Sequence, residues 1–306
     1  MGIGKYIKEI GRGKDGARAL SREQASDLFG QVLDGSVTDL EIGAFCLAMR
    51  IKGETAQEMA GFLDATTARL QPIPAAEQPL IVIPSYNGAR KLPLLTPLLA
   101  LLLAREGLRV LIHGAASEST RVFTADVLAA LDIMPASAIG PIACGQVVFA
   151  PTGLLCPGLQ RLLEVRRVVG LRNPAHSLVK LMNPGHGENL IVSSYTHPEY
   201  ALSMAATFEL MLSSAVLLRG TEGEAVADPR RHPKMELFLR GTRQTLQDAQ
   251  TGTLATVPEL PRTIDPASTA AYICAVLAGD IPIPAPIAAQ SAHIVHATTQ
   301  LQRISA

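Results

Sequence analysis

The chain has 306 residues, 48% of them hydrophobic and 18% charged, with a mean hydropathy of +0.24, enough apolar material for one large core or two modest ones. Its 27 Lys and Arg balance 27 Asp and Glu, which excludes the globally basic signature of a dedicated nucleic-acid binder and leaves only local charge patterning to support one. Cys46, Cys144, Cys156 and Cys274 lie far apart, with no C-x-x-C pair and no zinc-spaced histidine, so neither a disulfide framework nor a zinc site is expected, and a reducing cytoplasm is the expected compartment.

The opening MGIGKYIKEIGRGK is charged and lacks the apolar stretch of a secretory signal. Three helix starts of one kind follow, each a Ser or Thr with Glu or Gln three residues on, so that each side chain satisfies an orphan backbone N–H of the other. Ser21 with Gln24 opens a helix carrying Ala25, Leu28, Phe29, Val32 and Leu33 on one face and ending at Gly35. Thr38 with Glu41 opens the second, running through Phe45 and Met49 to Gly53, and Thr55 with Glu58 opens the third. The proline-rich stretch 71–79 then stops the helices, which places a boundary between a helical N-terminal unit, 1–72, and a second unit, 80–306.

In the second unit short apolar runs alternate with helical segments. Strands are predicted at Leu80 to Ile83, Arg109 to Ile112, Val147 to Ala150, Leu190 to Ser193 and Ala215 to Leu218. Helices are predicted at Pro93 to Glu106, Thr124 to Leu131, Gly158 to Val168 and Pro198 to Leu212. Repeated β-α units imply an α/β domain with a mainly parallel sheet flanked by helices. The apolar run Leu92 to Ala104 is interrupted by Pro93 and Pro97 and is too short for a bilayer, so no membrane association is expected. Beyond Arg240 the order of elements is not legible, apart from a helix from Asp265 or Ser268 to Leu277 and another near Ala288 to Leu301.

In such a sheet ligands sit at the carboxyl ends of strands, so function is expected in the loops after Ile83, Ile112 and Leu218. These read PSYNGARK (84–91), HGAASESTR (113–121) and RGTEGE (219–224). With these loops and the N-terminal pattern LSxEQAxxLFxxVLxGxVTDxxIGAFxxAMRIKGET, the chain resembles anthranilate phosphoribosyltransferase and its nucleoside-phosphorylase relatives, the glycosyltransferase family 3 fold. The resemblance implies a helical domain, dimerising and joined by helices from about 155–180, on an α/β domain. It also implies a phosphoribosyl pyrophosphate site at Ser85, Asn87, Gly88, His113, Gly114, Ser119 and Glu224.

That site departs from the family pattern. Pro84 to Gly88 stand where the family has a Gly-Thr-Gly-Gly-Asp loop that closes its backbone N–H groups on a pyrophosphate, so the cradle should be impaired. Ile112 and Ala115 replace a lysine and an asparagine around His113 and Gly114. Phe123 replaces a glycine, and Gly223-Glu224 replaces the Asp-Glu pair that binds magnesium. Arg172 matches the arginine that holds the anthranilate carboxylate, with Ala175 and His176 in place of the neighbouring Phe and Asn. The runs IPSYNGARK, RNPAH, SSxxHPEY and RGTEGE are similar to the YbiB-type branch, whose described members are homodimers that bind nucleic acid without sequence preference.

Local charge supports that implication. Residues 161–180 carry Arg161, Arg166, Arg167, Arg172 and Lys180 against Glu164, a net +4, and residues 1–20 carry +3. The expected interface for single-stranded DNA or RNA is Arg90, Lys91, Arg121, Arg166, Arg167, Arg172 and Lys180, with Tyr86 the one aromatic in a cleft loop. No catalytic residue, metal or cofactor is then expected. The alternative is an active transferase using phosphoribosyl pyrophosphate and magnesium through His113, Ser119, Arg121, Arg172 and Glu224; a third reading is a protein whose business is its own dimer. His113 reads as a structural donor, His176 and His197 as turn residues, and Glu222 with Glu224 as two exposed acids in one turn.

Overall fold

The computed structural model describes residues 2–13, 15–115, 120–254 and 257–305. Its N-terminal part consists of α1 (Gly4–Ile10), α2 (Arg22–Asp34), α3 (Asp39–Lys52) and α4 (Ala56–Thr67). All three capping boxes form. The N–H groups of Gln24, Glu41 and Glu58 donate to Ser21, Thr38 and Thr55 at 3.2, 3.3 and 3.2 Å, and each acidic or amide side chain accepts the N–H in return. α1 carries no capping side chain of its own; the Ile3 N–H donates to Glu41 at 3.0 Å instead. Phe29 and Phe62 stack at 4.6 Å with Phe45 edge-on to both, which fixes how α2, α3 and α4 pack.

The proline stretch after α4 is strapped down rather than loose. The Gln71 N–H donates to the Leu155 carbonyl at 2.8 Å, Ile73 bridges to Gly185, and the buried Arg109 guanidinium donates to the carbonyls of Pro74 and Gln78.

The second part contains β1 (Leu80–Ser85), α5 (Thr96–Arg105), β2 (Arg109–Gly114), α6 (Thr124–Ala129), β3 (Val147–Pro151), α7 (Thr152–Leu155), α8 (Pro157–Val169), α9 (Ala175–Leu178), β4 (Asn189–Tyr195), α10 (Pro198–Leu210), β5 (Ala215–Arg219), β6 (Met235–Leu239), β7 (Thr242–Gln247), α11 (Pro266–Ala278) and α12 (Ala285–Ser305). Among the described residues the strands form one sheet in the order β3-β2-β1-β4-β5-β6-β7, with β1 to β5 parallel and β6 and β7 antiparallel. The five predicted strands and the parallel sheet are all present. α5 begins at Thr96 rather than Pro93, because the loop after β1 runs on through residue 95.

The β6–β7 hairpin is the element the sequence reading lacked. It turns at Arg240-Gly241, with φ of +46° and +81°, the left-handed pair that a two-residue hairpin needs. α8 crosses back to the helical unit: Gly158 lies so close to α2 that a Cβ there would sit 2.2 Å from the Leu33 carbonyl oxygen, and Arg161 donates to the same oxygen at 2.8 Å. α10 packs on α4 from the other side. Among the described residues no helix is long and apolar enough to cross a membrane.

Candidate functional site

β1, β2, β4 and β5 end along one edge of the sheet, and their loops meet there. Pro84 lies inside β1, in register with His113 of β2, so the chain leaves the strand only at Tyr86. From that point the loop's backbone donors converge on two carboxylates of this same chain. The N–H groups of Asn87 and Gly88 donate to one Glu224 oxygen at 2.7 and 2.8 Å, while the Ser85 hydroxyl and, at 3.4 Å, the Thr96 hydroxyl donate to the other. The N–H groups of Arg90 and Lys91 donate to Glu222 at 2.8 and 3.1 Å. Glu224 is 1% exposed. The expectation of two exposed acids is therefore wrong: these carboxylates occupy the concavity that successive N–H groups make, the arrangement that elsewhere holds a phosphate.

The turn is shaped for this. Glu222 (φ +52°) and Gly223 (φ +89°) are both left-handed, and a Cβ on Gly223 would lie 1.7 Å from the Asn87 amide nitrogen. The Gly223 carbonyl accepts from Lys180 Nζ at 2.8 Å and from the Ser194 hydroxyl at 2.9 Å, and the Asn87 amide donates to the Glu222 carbonyl at 3.1 Å. Arg121 donates to the Gly88 carbonyl at 3.3 Å. Arg90 and Lys91 are exposed on the same loop. Gly114 ends β2 opposite Ser85. Ser119 lies outside the described residues.

His113 is fully buried, with Nδ1 2.7 Å from the Tyr86 hydroxyl, which also bonds Thr152 at 2.8 Å. Burial pushes the imidazole down to about 3, so it is neutral near pH 7. Tyr86 is itself 6% exposed and engaged at its hydroxyl, which removes it as a stacking platform and corrects the sequence expectation.

A cleft of about 460 Å³ opens between the two parts of the molecule, walled by the end of α3, the start of α4, the α9 segment, the end of β4 and α10. Arg50, Arg172 and Lys180 bring positive charge to it, Glu54 and Glu199 negative charge, and Tyr195, His197 and Tyr200 the aromatic surface that Tyr86 does not supply. His176 also lines it. Burial, and then the neighbouring Arg172 and Arg166, hold this imidazole down to about 4. Lys180 is half-buried at the wall, with its ammonium on the carbonyls of Gly223 and Ser194, and burial pushes it down to about 8. Arg167 lies outside this cleft, beside Glu164, Tyr86 and His176 in a small side pocket. Of the predicted basic residues, Arg172 and Lys180 line the cleft, Arg166 lies near His176 without lining it, and Arg90, Lys91 and Arg121 gather at the β1 loop, with Lys180 touching the Glu222–Glu224 turn.

The geometry has close counterparts. Residues 5–69 match the helical bundle domain of a glycosyl transferase family. The uncharacterized protein YbiB of Escherichia coli K12 is 43% identical over all of this chain and 97% of its own length. An anthranilate phosphoribosyltransferase from Nocardioides is 30% identical over 67% of this chain and 61% of its own. The chain belongs to the anthranilate phosphoribosyltransferase-like family. The anthranilate phosphoribosyltransferase of Thermus thermophilus has the same fold, with a TM-score of 0.74 over 97% of this chain and 88% of that one, at 21% identity.

Against the anthranilate phosphoribosyltransferase pattern, the residues present do not fit a magnesium ion. Gly223 supplies no ligand, and both oxygens of Glu224 already accept protein donors. Sequence reasoning placed the loops after β1 and β5 at one edge of the sheet but missed that they bond to each other, and it missed Arg50, Tyr195 and Tyr200. The signal for the first was the glycine preceding Glu224, a residue that permits a left-handed turn; the others carry no motif.

Proposed function

We propose that the chain binds single-stranded DNA or RNA without reading sequence, as a homodimer, and does not transfer a phosphoribosyl group. One observation carries the reading: the backbone donors of the β1 loop are spent on Glu222 and Glu224, while Arg50, Arg172 and Lys180 line an open cleft. Guanidinium groups spaced along a groove can follow phosphates, which repeat along any strand, and base identity then has no bearing on affinity. Tyr200 and His197 at the rim offer π-faces that accept any base. A transferase would need the Glu224 carboxylate to leave four donors and turn to a metal ion, with a phosphate taking its place among the donors.

The dimer reading is supported by α3, whose outer face carries Leu40, Leu47 and Ile51 at 83%, 47% and 62% exposure, near-helical spacing on one row. Fluorescence anisotropy with two unrelated labelled single strands, on wild type and on Arg50→Ala with Arg172→Ala, tests the binding. Equal affinity for both strands, weakened alike in the double variant, is expected. No binding at low salt, or binding unchanged in the variant, overturns it.

A further inference from the structure

We infer that the loop after β1 is a working anion site whose occupant is the chain's own Glu222–Glu224 turn, and that deleting the Glu224 carboxylate opens it to a small free oxyanion, a carboxylate or a single phosphate. The inference stands apart from nucleic-acid binding and would survive its failure.

The donors are the argument. Backbone N–H groups of residues 87, 88, 90 and 91 all end on two carboxylates two residues apart, and the Ser85 and Thr96 hydroxyls complete the set on Glu224. Gly88, at φ +66°, bends the loop so that successive N–H groups face inward, and a Cβ there would lie 2.8 Å from the Val122 carbonyl oxygen. An N–H concavity of this kind recognises charge and shape, and whether its anion is tethered is immaterial to the contacts. The tether decides occupancy instead: a carboxylate held in place competes at an effective concentration that free anions at ordinary levels do not reach.

The turn is also held from behind. Lys180 and Ser194 both donate to the Gly223 carbonyl, which keeps the left-handed Glu222 and Gly223 in position while the two carboxylates point into the loop. Loss of the Glu224 side chain therefore removes the anion and leaves its frame: Asn87, Gly88, Ser85 and Thr96 lose their shared acceptor, and their buried donors require another. Acetate or formate replaces the lost atoms directly, and phosphate offers oxygens at similar spacing.

Thermal melts of the full chain test this in sodium acetate, formate or phosphate against sodium chloride of equal ionic strength. Glu224→Ala should melt below wild type and regain about 3 °C at anion concentrations of about ten times the dissociation constant. Wild type, whose site is filled, and Glu224→Gln, whose side chain fills the same space, should respond no more than they do to chloride. An equal response in wild type, or none beyond chloride in Glu224→Ala, overturns the inference. Should Glu224→Ala be recovered folded only in acetate or phosphate, that supports it. Should it fold in no buffer, Glu222→Ala decides, since it frees the N–H groups of Arg90 and Lys91: a gain specific to phosphate or acetate supports the site, and no gain overturns it.

Discussion

Gly223 is the residue on which the self-filled loop depends most directly. Its φ of +89° strains any side chain, and a Cβ would displace the Asn87 amide that donates to the Glu222 carbonyl. Gly223→Ala should cost about 2–3 kcal/mol, the sum of a left-handed alanine and one lost hydrogen bond, read as a lower urea midpoint at unchanged slope. Two histidines make stability depend on pH. His113 and His176 are held at about 3 and about 4 in the folded chain, below the ordinary value of 6.5, so the unfolded chain takes up protons first. Their contribution is intact above pH 6.5 and is lost as pH falls through 4 toward 3. Urea midpoints measured from pH 7 to pH 4 should drop for wild type and drop less for His176→Asn; equal slopes would remove His176 from the account. The sequence reading takes His113 as a structural group, buried in the structure with Nδ1 on the Tyr86 hydroxyl. It misread Glu222 and Glu224 because nothing local tells an exposed acidic turn from one folded onto a loop 130 residues earlier.

At the scale of elements, α3 carries two faces with opposite roles. Phe45 and Met49 point into the aromatic cluster and are fully buried, whereas Leu40, Leu47 and Ile51 point outward. Of the large apolar residues of the helical unit, Leu28, Phe29, Phe45, Met49, Met59 and Phe62 are buried within the chain, whereas Leu47 is exposed. Phe45→Glu should destabilise the helical unit by about 3–5 kcal/mol, because Phe45 is fully buried in the aromatic cluster. Ile51→Glu should leave the helical content and melting temperature near wild type while light scattering at micromolar protein falls to the monomer mass. A dimer that persists in Ile51→Glu would place the interface elsewhere. Helix starts were legible because capping is local, written in residues three apart. The β6–β7 hairpin was not, because Met235 to Leu239 is too short to declare a period and Arg240-Gly241 is a weak turn signal by itself.

For the whole molecule, a net charge of zero means that no long-range field draws a polyanion in, and affinity must come from the grouped cations at short range. If about four phosphates are neutralised per protomer, the log-log salt dependence on single strands should have a slope of about −3, and a dimer engaging both clefts should approach twice that. Arg50→Ala with Arg172→Ala should flatten the slope as well as weaken binding; weaker binding at an unchanged slope would mean that these arginines shape the cleft without meeting phosphate. The far side of the sheet bears on what such a dimer can become. β7 is a rim strand whose residues Thr242, Arg243, Gln244 and Thr245 are exposed and polar, and the register shift at Met235 and Glu236 skews the hairpin that carries it. A polar, skewed rim is a poor template for strand addition, which disfavours extension of the sheet from this side by a second copy. A dimer paired through helices, as proposed, would then be a closed pair, and copies gathered on a long polyanion would not grow into a fibre by this rim.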